Sequence, residues 1–220
     1  MYVGLKMLKD FHPVTPKTPL AEAKKLLEKQ EYWMLLVTEG DRLAGYVRHE
    51  DLTAALPSLV STLERHEANY LISKLTVGMV MRKDITVVAP EMEIEQAAQI
   101  MHDKNLAGLA VVDAKGSLIG YINRTVMLEV LVDEMGLALG GSRLVFEVED
   151  RSGVILEAAQ VIAGQGASIL STSTFFHNGR RMVIIRVNVE EDSAIRRGLE
   201  EKGYRLESAA DFQHEWTVKA

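Results

Sequence analysis

Apolar and polar residues follow one pattern that the first part of the chain contains twice. The stretch VGLKMLKD begins at Val3 and VGMVMRKD begins at Val77, an offset of 74 (77 − 3). In each copy an extended segment that ends in a proline follows, and then come apolar residues at helical spacing. The predicted apolar faces are Leu20, Ala23, Leu26 and Leu27 in the first helix and Ile94, Ala97, Ile100 and Met101 in the second.

The remainder of each copy predicts two strands and a closing helix. One extra residue near Asn105 shifts the offset to 75, so that WMLLVTEGDRLAGYV aligns with GLAVVDAKGSLIGYI. Each segment has two apolar runs around a polar turn, which is typical of paired strands. The copies, 1–56 and 75–135, therefore share the order strand–helix–strand–strand–helix. Residues 57–74 are predicted to form a helical linker, in which His66 fits a half-buried helix position better than a metal ligand.

The last third of the chain has a different pattern, and Gly140 and Gly141 mark the boundary. Residues 142–210 predict the order βαββαβ, with a hairpin turn at Asn178-Gly179. This order is the ferredoxin-like plan, and residues 211–220 form a tail. The predicted fold class is therefore mixed α/β and α+β: a βαββα unit present twice, followed by a ferredoxin-like domain.

Composition limits the functions that this fold can serve. The 220 residues carry a net charge of −6, which argues against a nucleic-acid partner because phosphate binding needs clustered cations. The absence of cysteine excludes disulfides and thiolate chemistry, and no apolar run is long enough to cross a membrane. No motif for nucleophilic, phosphoryl-transfer or metal-dependent catalysis occurs. We therefore expect a cytoplasmic protein that is not an enzyme and holds no metal.

The two copies together resemble a tandem pair of CBS domains, known as a Bateman module. The resemblance rests on VGxxMxKD, on the helix periodicity, and on GYVRHEDL, which is similar to the signature that begins the closing helix of that family. It implies that the cleft between the copies binds a regulatory ligand. The ligand so implied is an adenine nucleotide (AMP, ADP or ATP) or S-adenosylmethionine, and no catalytic cofactor is implied.

The resemblance also assigns roles to residues of the first copy. Asp51 stands where the family binds the ribose hydroxyls, and Arg48 stands where a hydroxyl residue faces the phosphate. A guanidinium suits that place because it gives phosphate two parallel charge-assisted hydrogen bonds. The alternative for Asp51 is a carboxylate that stabilises a helix N-terminus through the helix dipole. The positions that frame adenine are His12, Val14 and Met34.

The second copy departs from the family at the same positions. Val126 stands at the ribose position and Asn123 at the hydroxyl position. Arg124 is a candidate phosphate ligand for a nucleotide anchored at Asp51, and the alternative is an ordinary solvated arginine. One occupied site is therefore expected rather than two.

The C-terminal segment resembles an ACT domain, an amino-acid-sensing module, over 142–210. The matching motifs are DRSGV at 150–154 and GASI at 166–169, with Ser152 and Ser168 where the family usually has proline and asparagine. The resemblance implies an amino-acid site at Ser152, Gly153, Val154, Ser168 and Ile169. Gly153 is also explained by a simple turn between strand and helix.

A CBS pair followed by an ACT domain is similar to the AcuB-type acetoin-utilisation proteins. This similarity implies a non-catalytic regulator that senses small molecules. The alternative is a dimeric interaction module with degenerate pockets that docks on a partner enzyme and regulates it. We expect a homodimer that uses both domains in both cases, because the ACT-like sheet has an edge to cover and apolar positions remain around the ends of the repeats. These positions are Leu56, Leu59, Met127, Val130 and Leu131.

Overall fold

The computed structural model describes residues 1–30, 34–55 and 74–217. Its internal contacts divide the chain into two compact units, Met1–Leu128 and Glu129–Ala220. The predicted linker with His66, together with Leu56 and Leu59, falls among the residues outside the described ranges. The described helices lack a segment long and apolar enough to cross a membrane.

The first unit contains the two predicted repeats, which have a similar order of elements. Its described helices are α1 (Val3–Lys6), α2 (Leu20–Gln30), α3 (His49–Ala55) and α4 (Ile94–Asp103), and a 3-10 turn covers Val77–Met79. Its strands are β1 (Met34–Glu39), β2 (Arg42–Arg48), β3 (Val87–Val88), β4 (Gly108–Val112) and β5 (Leu118–Asn123). Helix α5 (Arg124–Glu134) begins in this unit and ends in the second.

The predicted apolar faces of the first two long helices are confirmed. Leu20, Ala23 and Leu27 are buried on α2, and Leu26 is half-buried beside them. On α4 the residues Ile94, Ala97 and Met101 are buried, and Ile100 is half-buried beside them.

Each repeat forms its own small sheet, in which the first strand is short. Strands β1 and β2 are antiparallel, and Val14 adds a single parallel bridge to Val37. Pro13 and Pro16 flank Val14 and lack backbone donors, which explains why pairing stops at one residue. In the second repeat β3 is parallel to β4, and β4 is antiparallel to β5.

The leading segment of each repeat packs on the other repeat. Val3 N donates to Met92 O at 2.9 Å, and Gly4 N donates to Pro90 O at 2.8 Å. An equivalent pair of hydrogen bonds joins the leading segment of the second repeat to the first repeat. Val77 N donates to Thr18 O at 2.9 Å, and Gly78 N donates to Pro16 O at 2.8 Å. Further along, Leu8 bridges Tyr121 and Arg82 bridges Tyr46, again at equivalent positions. The duplicated motif therefore supplies two reciprocal contacts between the repeats.

Glycines allow these reciprocal contacts. A Cβ on Gly4 would lie 3.0 Å from Pro90 O, and one on Gly78 would lie 3.0 Å from Pro16 O. Gly45 and Gly120 have the same role on β2 and β5, since a Cβ would lie 2.2 Å from Arg82 O and 3.0 Å from Leu8 O respectively. Only a residue without a side chain fits such an approach.

The second unit has the predicted order βαββαβ. Its elements are β6 (Ser142–Val148), α6 (Val154–Gly164), β7 (Ile169–His177), β8 (Arg180–Val187), α7 (Ser193–Glu201) and β9 (Arg205–Leu206). Two 3-10 turns (Leu137–Leu139 and Ala209–Phe212) and helix α8 (Gln213–Trp216) flank them. The sheet order is β7-β8-β6-β9 with antiparallel pairs throughout.

The ferredoxin-like plan is thus confirmed for this unit, and so is its hairpin turn. Asn178 and Gly179 have φ of 50° and 79°, the combination that a two-residue hairpin needs. Phe146, Ile162, Ile185 and Leu199 meet in the core between the sheet and its two helices. The predicted domain limits, including 142–210, stay a prediction.

The reciprocal glycine contacts lead to a stability prediction. We expect Gly45→Ala to lower the free energy of unfolding by about 1–3 kcal/mol, because the new methyl group overlaps the Arg82 carbonyl. Urea denaturation followed by circular dichroism measures the change. Gly164→Ala is the matched control, since its Cβ would meet nothing within 4 Å and alanine is the better helix former. Equal effects of the two substitutions would contradict the prediction.

Candidate functional site

A polar cleft lies between the two repeats of the first unit. Its volume is about 500 Å³, within the range typical of small-molecule sites. One wall comes from the first repeat, at the end of β2 and the start of α3, and the other comes from the second repeat. The lining residues are Met34, Tyr46, Arg48, His49, Glu50, Asp84, Ile85, Thr86, Asn105, Leu106, Ala107, Gly108 and Arg124.

Two arginines, one from each repeat, line this cleft. Arg48 pairs with Glu50, with 2.5 Å between Nη1 and Oε1. Arg124 donates from Nε to Leu106 O at 3.1 Å and from Nη2 to Asn105 Oδ1 at 2.8 Å. Asn105 follows the end of α4 by two residues and has the left-handed conformation, with φ of 49°.

The strand registers correct the predicted position of the extra residue. Val37 pairs with Gly45 and Val111 pairs with Gly120, so the offset is still 74 on β1 and β4 and becomes 75 on β2 and β5. The extra residue of the second copy therefore lies in the turn between its paired strands and not near Asn105.

Asp51 is the central carboxylate next to the cleft, and it binds two arginines. Arg82 donates from Nη2 to Asp51 Oδ1 at 2.8 Å, and Arg48 Nε lies 3.3 Å from Oδ2. Burial raises the pKa of Asp51, but hydrogen bonds from Arg82 and Arg48 outweigh it and hold the pKa below 3.8. The Asp51 side chain is only 11% exposed and is not among the residues that line the cleft.

Arg82 was not among the sequence-predicted site residues. A signal for it was present, because Arg82 occupies the position of Leu8 in the other copy, and a charged residue replaces an apolar one there. The same comparison places Asp51 opposite Val126. Both members of the ion pair are thus absent from the other repeat.

At the start of each closing helix, a backbone N–H donates to a side chain three residues away. In α3 the side chain comes after the N–H in the sequence, and in α5 it comes before it. The Arg48 backbone N–H donates to Asp51 Oδ2 at 3.1 Å, and the Val126 backbone N–H donates to Asn123 Oδ1 at 2.9 Å. Asn123 is therefore the N-cap of α5, and Asp51 provides the carboxylate half of a capping box for α3. Capping is thus one role that the structure gives to Asp51 and Asn123.

Of the three residues expected to frame adenine in the first copy, Met34 lines the wide cleft, and His12 and Val14 lie elsewhere. His12 and Met34 line a second cavity of about 20 Å³, with the apolar neighbours Phe11, Leu35, Leu36 and Tyr121. Val14 is buried in the core, because its backbone bonds to β1 on both sides. A cavity of this size holds no more than about a single water molecule. The structure brings Met34, Arg48 and Arg124 together in the wide cleft and separates His12 and Val14 from it.

The second unit has a groove at the predicted ACT motif. Ser152, Gly153 and Val154 line a groove of about 510 Å³ at the start of α6, and Arg181 contributes from β8. Ser168 and Ile169 are not among the lining residues. Ser168 N donates to Asn188 Oδ1 at 2.7 Å, and Ile169 begins β7.

Arg151, the arginine of that motif, also lines the groove and is held there by an ion pair. Its Nη2 lies 2.7 Å from Glu157 Oε2 and 3.3 Å from the hydroxyl of Tyr204. Hydrogen bonds from Arg151 and Tyr204 lower the pKa of Glu157 to about 2. At neutral pH the carboxylate is therefore charged and keeps Arg151 in place.

Serines of strand β7 hold the chain that precedes the sheet. Ser171 Oγ donates to Met135 O at 2.9 Å, and Arg186 Nε donates to the same oxygen at 3.1 Å. Arg186 also donates to Gly141 O at 3.2 Å. These contacts fix residues 135–141 on the sheet and give Ser171 of β7 a structural role.

An internal duplication with a ligand-sized cleft between its repeats defines a class of small-molecule-binding module. Residues 3–58 and 77–133 match the CBS domain, and the chain belongs to this family. The predicted tandem CBS pair is therefore confirmed. The family match ends before residue 142, so that the ACT assignment remains a prediction.

Several known proteins are similar to this chain over the CBS pair. An AcuB protein from Vibrio cholerae, assigned by name to acetoin utilization, is 25% identical; the match covers 63% of this chain and 95% of that one, with a TM-score of 0.53. CBSX2 from Arabidopsis thaliana is 28% identical over 60% of this chain and 94% of that one, with a TM-score of 0.50. CBSX2 has also been solved in complex with AMP.

A curated relative shares only this module. Inosine-5'-monophosphate dehydrogenase from Thermoplasma acidophilum is 25% identical over 116 residues, which are 53% of this chain. The matched region is 21% of the length of that enzyme.

The contacts of Asp51 lead to a pH-dependent prediction. Because its folded-state pKa lies below 3.8, ionised Asp51 stabilises the fold above that pH, and the stabilisation is lost as the pH falls below it. We expect Asp51→Asn to lower the free energy of unfolding at pH 7 by about 1–3 kcal/mol, the range for hydrogen bonds to charged groups.

Urea denaturation at pH 7 and at pH 3 measures this difference, which should shrink at the lower pH. Asp10→Asn, at an exposed aspartate, is the control and should change little at either pH. A destabilisation that is as large at pH 3 as at pH 7 would show that the charge of Asp51 is not its source.

Proposed function

We propose that this protein is a non-catalytic regulator whose CBS pair binds an adenine nucleotide in the cleft between its repeats. The observation that carries the proposal is that Arg48 and Arg124, from different repeats, line one cleft of about 500 Å³. Two guanidinium groups on facing walls are suited to a phosphate group, since each can donate parallel hydrogen bonds to its oxygens. The likeness to CBSX2, which binds AMP, supports the same ligand class.

The lining of the cleft also suits the nucleoside part of the ligand. Ile85, Leu106 and Ala107 provide apolar surface, and Gly108 at the start of β4 also lines the cleft. Thr86 adds a hydroxyl group on the same wall. A purine fits this combination because its faces are apolar and its edges form hydrogen bonds.

In this proposal Asp51 acts mainly through the arginines. Its oxygens already accept hydrogen bonds from Arg48 and Arg82, so a ribose contact would require Asp51 to give up one of them. Asp51 would instead hold Arg48 at the edge of the cleft.

The second unit is proposed as an amino-acid-sensing ACT domain, which would complete an AcuB-type architecture. The support is the ferredoxin-like sheet order and the groove that Gly153 helps to line. Gly153 has φ of 89°, a conformation that glycine adopts without strain.

The nucleotide proposal is tested by calorimetry with AMP, ADP, ATP and S-adenosylmethionine. We expect the full chain to bind at least one member, and Arg48→Gln or Arg124→Gln to weaken binding of a phosphate-bearing ligand at least tenfold. Each substitution removes a charge-assisted hydrogen bond to phosphate. Arg197→Gln, at an exposed arginine of α7, is the matched control and should leave the affinity unchanged.

A folded protein that gives no heat with any of the four ligands would exclude the sensing function. It would favour the alternative, a dimeric module with degenerate pockets that docks on a partner enzyme. Equal affinities of the two arginine variants and the control would show that the ligand lies elsewhere.

We further propose a homodimer that uses the edge of the second sheet. Strand β7 has nine residues and only one neighbour in the described sheet, which leaves a long edge for pairing with a second copy. Phe176 on this strand is 67% exposed, and Phe175 is 42% exposed. Of the apolar positions expected on α5, Val130 is buried, Met127 is half-buried and Leu131 is exposed.

Sedimentation equilibrium at tens of micromolar tests the dimer. We expect a dimer for the full chain and a dissociation constant at least tenfold larger for Phe176→Lys, since a charge replaces exposed apolar surface. An amino acid that binds at the groove near Gly153 should shift this equilibrium, because binding and assembly are linked. A monomer at these concentrations would contradict the proposal.

A further inference from the structure

The charges that line the cleft are nearly balanced. Among the described lining residues, the cations Arg48 and Arg124 face the anions Glu50 and Asp84. Lys104 adds a positive charge close by, with Nζ 3.4 Å from the hydroxyl of Thr86. The described part of the cleft therefore has a net charge of about +1 when its histidine is neutral.

The two arginines are not equally available to a ligand. Arg48 is already compensated by Glu50 and by Asp51, and a phosphate group has to compete with those carboxylates. Arg124 has different partners, since its described hydrogen bonds go to the uncharged oxygens of Leu106 and Asn105. Its positive charge is thus the better anchor for a phosphate group. Arg82, another cation nearby, is paired with Asp51.

The two anions occupy space that a longer phosphate chain would need. Glu50 lies at the start of α3 on one wall, with its side chain 65% exposed, and Asp84 lies on the other wall. Asp84 is near enough to Tyr46 to raise its pKa, after the larger effect of burial. Each additional phosphate adds at least one negative charge to a cleft whose positive charge the first phosphate already neutralises.

We propose that the cleft selects a nucleoside monophosphate over the triphosphate, and that Glu50 and Asp84 determine this selectivity. The inference rests on the proposed function, since it concerns the ligand of the same cleft. One phosphate dianion is enough to use the charge that Arg124 and Lys104 provide. The β- and γ-phosphates of a triphosphate would instead approach the carboxylates of Glu50 and Asp84, which repel them.

The charges on Glu50 and Asp84 can be removed without removing an anchor for phosphate. Glu50→Gln and Asp84→Asn keep the size of each side chain, and both residues are exposed, so the variants should fold. Releasing Arg48 from Glu50 strengthens binding of every phosphate ligand. The informative quantity is therefore the ratio of the dissociation constants for ATP and AMP rather than either constant alone.

The experiment is calorimetry of the full chain with AMP, ADP and ATP at pH 8 in the presence of EDTA, which keeps the phosphates free of metal. We expect affinity to decrease in the order AMP, ADP, ATP, with at least a tenfold difference between AMP and ATP. In the Glu50→Gln, Asp84→Asn double variant the ratio should fall at least fivefold. Glu200→Gln, at an exposed glutamate of α7, removes a charge outside the cleft and should leave the ratio unchanged.

Added salt should narrow the difference between AMP and ATP, because ions screen exposed charges. Two results would overturn the inference: ATP binding as tightly as AMP in the unmodified protein, or an unchanged ratio in the double variant. Both would leave nucleotide binding itself in place. If no nucleotide binds to the unmodified protein or to the double variant, the proposed function is excluded together with the inference.

Discussion

Reciprocal backbone hydrogen bonds between the leading segments and the opposite repeats hold the first unit together. At each junction a glycine N–H donates to a proline carbonyl at 2.8 Å, Gly4 to Pro90 and Gly78 to Pro16. The glycine is needed because a Cβ would lie 3.0 Å from that carbonyl oxygen. Neither repeat is complete without a segment from the other. The cleft between them is therefore fixed by main-chain contacts, and its side chains are free to change.

Side-chain changes have made the two equivalent cavities different. The wide cleft of about 500 Å³ lies where the second repeat provides the framing residues and the first provides Arg48. The corresponding cavity at His12 is about 20 Å³ and is lined by Phe11 and Tyr121, whose rings meet edge to face at 6.1 Å. A cavity of about 20 Å³ with a mostly apolar lining is too small for a ligand that fits the wide cleft, which supports a single nucleotide site.

The electrostatics of the open cleft depend on a group that lies just outside it. Asp51 holds Arg48 by an ion pair across one turn of α3 and holds Arg82 from the leading segment of the second repeat. Burial of a carboxylate is unfavourable unless charged partners compensate it. Because Arg82 also forms the backbone bridge to Tyr46, the two ion pairs of Asp51 connect the position of Arg48 to that contact between the repeats. In the second unit Glu157 has a similar role, since it keeps Arg151 at the rim of the groove.

The sequence by itself determined the duplication, the buried faces of α2 and α4, the order βαββαβ and the turn at Asn178-Gly179, because hydrophobic periodicity and glycine positions are local properties. It also gave Arg48 and Arg124 as candidate phosphate ligands. Only the tertiary structure decided that they line one cleft, that Arg82 pairs with Asp51, and that Val14 is buried. These facts depend on the exchange of the leading segments, in which residues far apart in the chain come within hydrogen-bonding distance. No local pattern encodes such pairing, because either repeat could in principle have bonded to its own segment.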